Sequence, residues 1–294
     1  MNRTEVQFYY QNEQELIHFD EIAKETNKAH QLIHHYIDYS QLITDRHRVR
    51  WEHGDWSEKT DLMLLLLSSV MKTGQFNEYA FADIITRYKY EGVTLFEDQA
   101  GFGLIKTLNI LANTEQFAHA PTECSKTVWE KSNEMNLESQ CIPHSMLLPI
   151  LFFDDSVRIT ENVIGCCKTT HYDLRCIGIS LLLARVLCHT LAELNKEEPT
   201  SQTRCQYMKE EYSNVKKYFQ EQKDQAIMER ILEVKDDWSD LLSIRNEIEE
   251  KQLYLCLILV DLKYRGEVYE CFLYAAFFYV YDYPYINAMM RVGN

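Results

Sequence analysis

The sequence predicts an all-α fold, and three observations carry that prediction. Apolar residues recur at helical spacing along most of the chain. Only 9 Gly and 5 Pro occur in 294 residues. That is too few for the tight turns of a many-stranded β fold or for Gly-rich phosphate loops. Several segments are also apolar nearly all round, as helices inside a bundle are. With 46% apolar and 26% charged residues, the composition is that of a globular chain rather than a disordered one.

Taken in order, residues 61–70 read as a buried central helix that Thr60 or Ser57 would cap. Residues 78–90 place Tyr79, Ala82, Ile84 and Ile85 on a helical stripe. Helices over 103–112 and 122–133 follow, with Pro121 and Thr122 marking the second start. Pro143 and Pro149 predict an irregular apolar turn. Residues 157–167 and 174–195 are the next helices, the second strongly apolar. Residues 196–202 carry the clearest loop signal. Positions 205–250 are charged with sparse apolar residues, whereas 250–262 and 268–281 are apolar again. One domain spanning 1–294, with a charged helical insertion near 196–250, is the simplest organisation.

The net charge of −15 disfavours nucleic acid and anionic membranes as partners. The first 13 residues are polar, without a signal-peptide core, and stretches such as 62–67 and 271–281 fall short of a membrane span. Nine Cys without a C-x-x-C pair or zinc spacing read as reduced, mostly buried thiols. The expected location is intracellular, cytoplasmic or nuclear.

The most specific stretch is a loop of hydroxyls and carboxylates, Asp55, Trp56, Ser57, Glu58, Lys59 and Asp61, opening a very apolar helix. Oxygen ligands at such a place suit a hard cation. A helix-capping box explains the same residues more simply. His171 and Asp173 invite a general acid/base reading. A helix-start box is favoured instead, with Thr170 and Asp173 capping the helix that begins near Leu174. His30, His34 and His35 have metal spacing but no evident third ligand, so they read as a solvated face. Gly101 and Gly103 alone are too short for a phosphate cradle. Seven tyrosines between 264 and 285 read as core packing with hydroxyls at the rim, or as an interface.

Several of these pieces, in this order, resemble the motifs of the ADP-ribosylglycohydrolase superfamily. The run from Arg50-Trp51 through Gly54, Asp55, Trp56, Ser57, Glu58, Lys59, Thr60 and Asp61 resembles its Gly-x-Trp-Thr-Asp-Asp-Thr/Ser-Asp-Gln motif. Residues 101–107 resemble a Gly-x-Gly-x-x-Thr segment. Residues 128–132 and 145–149 resemble the approach to Asn-Gly-x-x-Met-Arg-x-x-Pro. Residues 169–176 resemble Thr-His-x-Asp-x-Arg, and 283–292 resemble the helix before Gly-Gly-Asp-x-Asp-Thr. The resemblance implies a compact orthogonal helical bundle. It also implies a cleft in which two Mg²⁺ ions help to cleave ADP-ribose from an acceptor. The candidate cleft residues are Asp55, Trp56, Ser57, Glu58, Lys59, Asp61, Gly101, Gly103, His144, His171 and Asp173.

The chain departs from that pattern at its chemical positions. Thr-Asp-Asp becomes Ser57-Glu58-Lys59, and an ammonium has no lone pair for a metal and repels it. Asn-Gly-x-x-Met-Arg becomes residues 142–147, in which only His144 and Ser145 are polar. The Gly-Asp-Ala-Leu-Gly segment has no counterpart before Gly54, and the sequence stops at Gly293-Asn294, where Gly-Gly-Asp-x-Asp-Thr would begin. The expectation is a family member without catalysis, in which Glu58 and Lys59 are vestigial and no metal or cofactor is bound. Lys59 could pair with Glu58 or Asp55 in place of the cation. Such a protein would act by binding a protein partner, a second copy of itself or an ADP-ribose-like ligand. The other reading is an active hydrolase of an ADP-ribosylated protein or nucleotide, with Mg²⁺ in a rebuilt site. Tyr274, Phe277, Phe278 and Tyr281, in a segment apolar on every face, are the interface candidates.

Overall fold

The computed structural model of the chain describes residues 58–93, 106–133, 138–153, 155–193 and 200–221, with 272, 275–276 and 279–280 near the C-terminus. All of them fall in one compact unit, Glu58–Pro284. Among the described residues there are nine helices and no strand: α1 Glu58–Thr73, α2 Glu78–Glu91, α3 Lys106–Ala112, α4 Pro121–Lys131, α5 Cys141–Ser145, α6 Leu147–Phe152, α7 Ser156–Thr170, α8 Leu174–Glu193 and α9 Ser201–Glu221. The predicted all-α class holds.

Helix α1 buries Leu62, Leu64, Leu65, Leu66 and Val70, because α2, α5 and α6 all pack against it. It starts earlier than the capping reading places it. Thr60 is its third residue and not its cap, and Ser57 lies outside the described residues. Gly74 ends the helix. Its φ of 73° is a left-handed conformation open to glycine, and its N–H donates to the Val70 carbonyl at 2.7 Å.

Asn77 caps α2 by accepting from the Ala80 N–H at 2.9 Å. The buried stripe is Phe81, Ala82, Ile85 and Tyr88. Tyr79, expected on that stripe, is 50% exposed, because Phe81 two residues on faces the core instead. Pro121 occupies the first turn of α4, where its missing N–H costs nothing, as its position in the sequence predicts. Asn133 follows the end of α4 at φ 56°.

The irregular turn predicted around Pro143 and Pro149 is instead the pair of short helices α5 and α6. Both prolines stand within the first turn of their helix, where the ring is tolerated. Helix α7 is capped by Asp155, whose carboxylate accepts from the Arg158 N–H at 3.0 Å. At Gly165 a Cβ would come within 3.0 Å of the Phe76 ring, so the absent side chain lets the α1–α2 turn close on α7.

Helix α8 is the centre of the bundle, with α5, α6, α7 and α9 packed on it. It is long and apolar enough to cross a membrane, which the sequence reading overlooked, and half of that apolar window is buried within the bundle. Helix α9 lies in the charged region and is tied to α8 by Arg185 and Glu211 at 2.5 Å. Near the C-terminus, Phe272, Ala276 and Val280 are buried along one helical stripe. The Tyr279 hydroxyl meets Thr190 Oγ1 at 3.0 Å, and the Tyr279 carbonyl accepts from Arg204 at 3.2 Å. None of the seven described cysteines is in a disulfide, and Cys141, Cys166, Cys167 and Cys176 are buried.

Two substitutions separate backbone strain from core packing. G74A meets open space, so only the left-handed conformation is penalised, at about 1 kcal/mol. L66A empties a fully buried position and should cost about 2–5 kcal/mol. Urea unfolding midpoints should rank the two in that order; equal losses would contradict the burial assigned to Leu66.

Candidate functional site

The sequence-predicted polar residues that the structure describes fall into two places. The first is the three-residue link between α7 and α8. Asp173 there is fully buried and caps α8, its Oδ1 accepting from the Arg175 N–H at 2.9 Å. The capping reading of Asp173 is therefore right, but the cap is a small part of what this carboxylate does. Oδ1 also accepts from Arg175 Nε at 3.0 Å, and Oδ2 accepts from Arg175 Nη2 and from Trp129 Nε1, each at 2.9 Å. A carboxylate offers about four lone-pair directions. All four receive a protein donor.

The indole that reaches Asp173 comes from α4, 44 residues earlier in the chain. Its ring also lies 5.7 Å from Tyr172, over which Lys126 is placed at 5.9 Å. One buried anion thus joins α4 to the start of α8.

Thr170 does not cap α8, as the sequence suggested; it is the last residue of α7. Its hydroxyl bridges two buried imidazoles, with His171 Nδ1 at 2.9 Å and His144 Nε2 at 3.3 Å. The hydroxyl has one proton to give, so at least one of the two rings donates to it. Glu138 Oε2 stands 3.8 Å from His171 Nε2, too far for a direct hydrogen bond. Burial, reinforced by the charge of His171, pulls the His144 pKa down to about 4, so His144 is neutral near pH 7.

Thiols line the same layer. Cys141 and Cys176 both donate to the Glu138 carbonyl, at 3.5 and 3.9 Å, and Cys167 donates to the His171 carbonyl at 3.6 Å. Burial pushes the Cys166, Cys167 and Cys176 thiols up, which keeps them protonated.

The second place is the start of α1. Asp61 is buried there and accepts from the Tyr88 hydroxyl of α2. Glu58 opens the helix, and Lys59, in its first turn, is half-buried. Asp55, Trp56, Ser57, Gly101, Gly103, His30, His34, His35, Tyr274, Phe277, Phe278 and Tyr281 lie outside the described residues. So do the expected partners of Lys59, namely Asp55 and the side chain of Glu58.

His144 and His171 meet through Thr170, and Asp173 follows two residues on; all three are fully buried. The sequence reading missed Trp129, Tyr88, Glu138 and the bridging role of Thr170. Trp129 and Tyr88 carry no local signal, because their partners are 44 and 27 residues away. A magnesium pair needs carboxylate oxygens with lone pairs to spare, in near-octahedral geometry. Among the described residues, Asp173 is saturated, Asp61 is bonded by Tyr88 and Lys59 brings an ammonium. Asp173 and Lys59 do not suit that ion pair.

Comparison with known proteins gives one match. The family model described as ADP-ribosylglycohydrolase covers residues 12–292. No curated protein and no solved structure matches the chain.

The buried layer makes two predictions. D173N removes the charge that Arg175 and Trp129 face and should cost about 3–5 kcal/mol, while W129F deletes one donor of four and should cost about 1–3 kcal/mol. Denaturant unfolding checks the order. For His144, the folded pKa lies below the unfolded value of about 6.5, so the unfolded chain takes up the proton first. Stability is therefore full above pH 6.5 and falls toward pH 4, with a loss of about 2 kcal/mol by pH 5. An H144Q protein should show a shallower fall in melting temperature between pH 7 and 5; an unchanged slope would contradict a neutral buried His144.

Proposed function

Because the chain belongs to the ADP-ribosylglycohydrolase family, we propose that it is a member that keeps the helical frame and acts by binding instead of hydrolysis. One observation carries this reading. Asp173, in the Thr-His-x-Asp-x-Arg stretch, spends its four acceptor directions on Trp129 and Arg175 and is fully buried. A carboxylate so placed is a strut. It has nothing left for a metal ion, a water or a sugar hydroxyl. His144 and His171 point the same way, since each spends a ring nitrogen on Thr170 and neither reaches solvent. Lys59, where the family has an acidic residue, adds a positive charge at the helix start and supports the same conclusion.

What such a protein offers is shape. A rigid helical frame with a family cleft suits an ADP-ribose-like ligand, or a protein partner docked over the region 264–290. Within that region Phe272, Ala276 and Val280 are already used for packing inside the chain. A partner would therefore be met by other residues of the segment, such as Phe277 or Tyr281. Magnesium has no part in this reading.

The test is direct. Purified protein should release no ADP-ribose from modified arginine or serine peptides, with or without Mg²⁺. K59D should leave that result unchanged, because Asp173 stays occupied. Millimolar Mg²⁺ should not move the melting temperature, since a ligand of the native state must raise it. Turnover that a chelator abolishes would overturn the proposal and establish a hydrolase with a rebuilt site. For the partner, F277E and Y281E should lower the solution mass of a dimer or abolish capture of a partner. A monomer at tens of micromolar that captures nothing would leave the ADP-ribose-like ligand as the occupant.

A further inference from the structure

The structure has a second concave site, far from the motif residues. It is a cleft of about 220 Å³ between the end of α6, the start of α7, the last turns of α8 and the middle of α9. Along α8 it lies about 20–25 Å from Asp173, at 1.5 Å per residue. Phe153, Ile159 and Ala192 give it an apolar wall. Phe153 is about half exposed, and so presents part of its ring to the opening.

The opposite wall is polar, and its donors and acceptors do not balance. Glu211 is buried, and the acceptors of its Oε2 are in use. Oε2 accepts from Arg185 Nε at 2.5 Å and from Asn214 Nδ2 at 3.3 Å, while Oε1 faces His189 Nδ1 at 3.7 Å. Glu193, at the rim, is also engaged. The donors are only partly used. Arg185 spends Nε on Glu211 and Nη1 on Thr160 Oγ1 at 3.1 Å, and among the described residues no acceptor meets its Nη2. The same holds for His189 Nε2, whose ring lies 3.9 Å from that of Tyr207 at a tilt of 32°, and for the Ser156 hydroxyl. Burial holds the Cys188 thiol at about 11, so that lining group stays uncharged.

A preformed cleft with an apolar wall, a fixed guanidinium edge and two further unmet donors calls for a ligand that brings acceptors and an apolar body. We infer that this cleft binds a small organic carboxylate whose body is about one ring in size. An apolar cavity of about 150 Å³ holds a benzene ring, so the volume here leaves room for the ring and its head group. The carboxylate sits on the Arg185 edge beside His189, and the ring lies against Phe153 and Ala192. Glu211 does not repel it, because Arg185 is paired with it.

Calorimetric titration of the full chain with benzoate, benzylamine and inorganic phosphate tests this. Benzoate should bind saturably, and both benzylamine and phosphate at least about tenfold more weakly. R185M strips buried Glu211 of its counter-charge and is a poor probe for that reason. H189F keeps the ring on Tyr207 and removes only the donor; it should weaken benzoate about fivefold. A192W fills the cleft from its exposed side and should abolish binding, with a melting temperature near that of the parent. Absence of saturable benzoate binding, equal binding of benzylamine or phosphate, or binding untouched by A192W would overturn the inference.

Discussion

A carboxylate fully removed from water must be matched donor for donor, and Asp173 is the place where this bundle meets that constraint. Its partners come from α4 and from the first turn of α8, so neither helix can shift without stranding a charge. The consequence spreads outward. With the start of α8 fixed, the α7–α8 link is fixed, and Thr170 and His171 take positions from which they bridge to His144 on α5. Helix α5 in turn packs on α1. The elements that carry the motif resemblance are thus locked by polar contacts within an otherwise apolar core.

On the function proposed above, that arrangement is how likeness to a hydrolase motif and hydrolase chemistry part company. A Thr-His-x-Asp-x-Arg stretch serves equally well as a helix start and as a set of reacting groups. What decides between the two is who occupies the lone pairs. Here the indole of Trp129 and the guanidinium of Arg175 occupy them, and the protein is the ligand of its own carboxylate.

Much of the fold was legible in the sequence because it rests on local rules. Pro121 at a helix start, the long apolar period of α8 and the Asp173 cap all act within a turn or two of chain, and each was read correctly. Misreadings came where tertiary contacts override local preference. Tyr79 lost the core to Phe81. Pro143 and Pro149 entered short helices because a first turn needs no N–H from them. Thr60 was taken into α1. The candidate site was the least legible. The full burial of His144, His171 and Asp173 was not read. The bonds from Trp129 and Tyr88 span 44 and 27 residues, beyond any window in which periodicity or spacing speaks. The cleft at Arg185 is built from four helices and has no sequence signature at all.

The order of α8 and α9 along the chain has a consequence for biosynthesis. Among the described helices α8 alone is long and apolar enough to cross a membrane, and it depends on α9 to cover one side of it, yet α9 is translated afterwards. At about 5–20 residues per second, the ribosome needs between about one and six seconds to reach the end of α9 once α8 is complete. Through that interval the nascent chain carries a twenty-residue apolar helix with one side bare. Such a surface is a target for chaperones, or for the machinery that inserts membrane helices. Arg185, in the middle of α8, acts against insertion during that time, well before Glu211 arrives to pair with it.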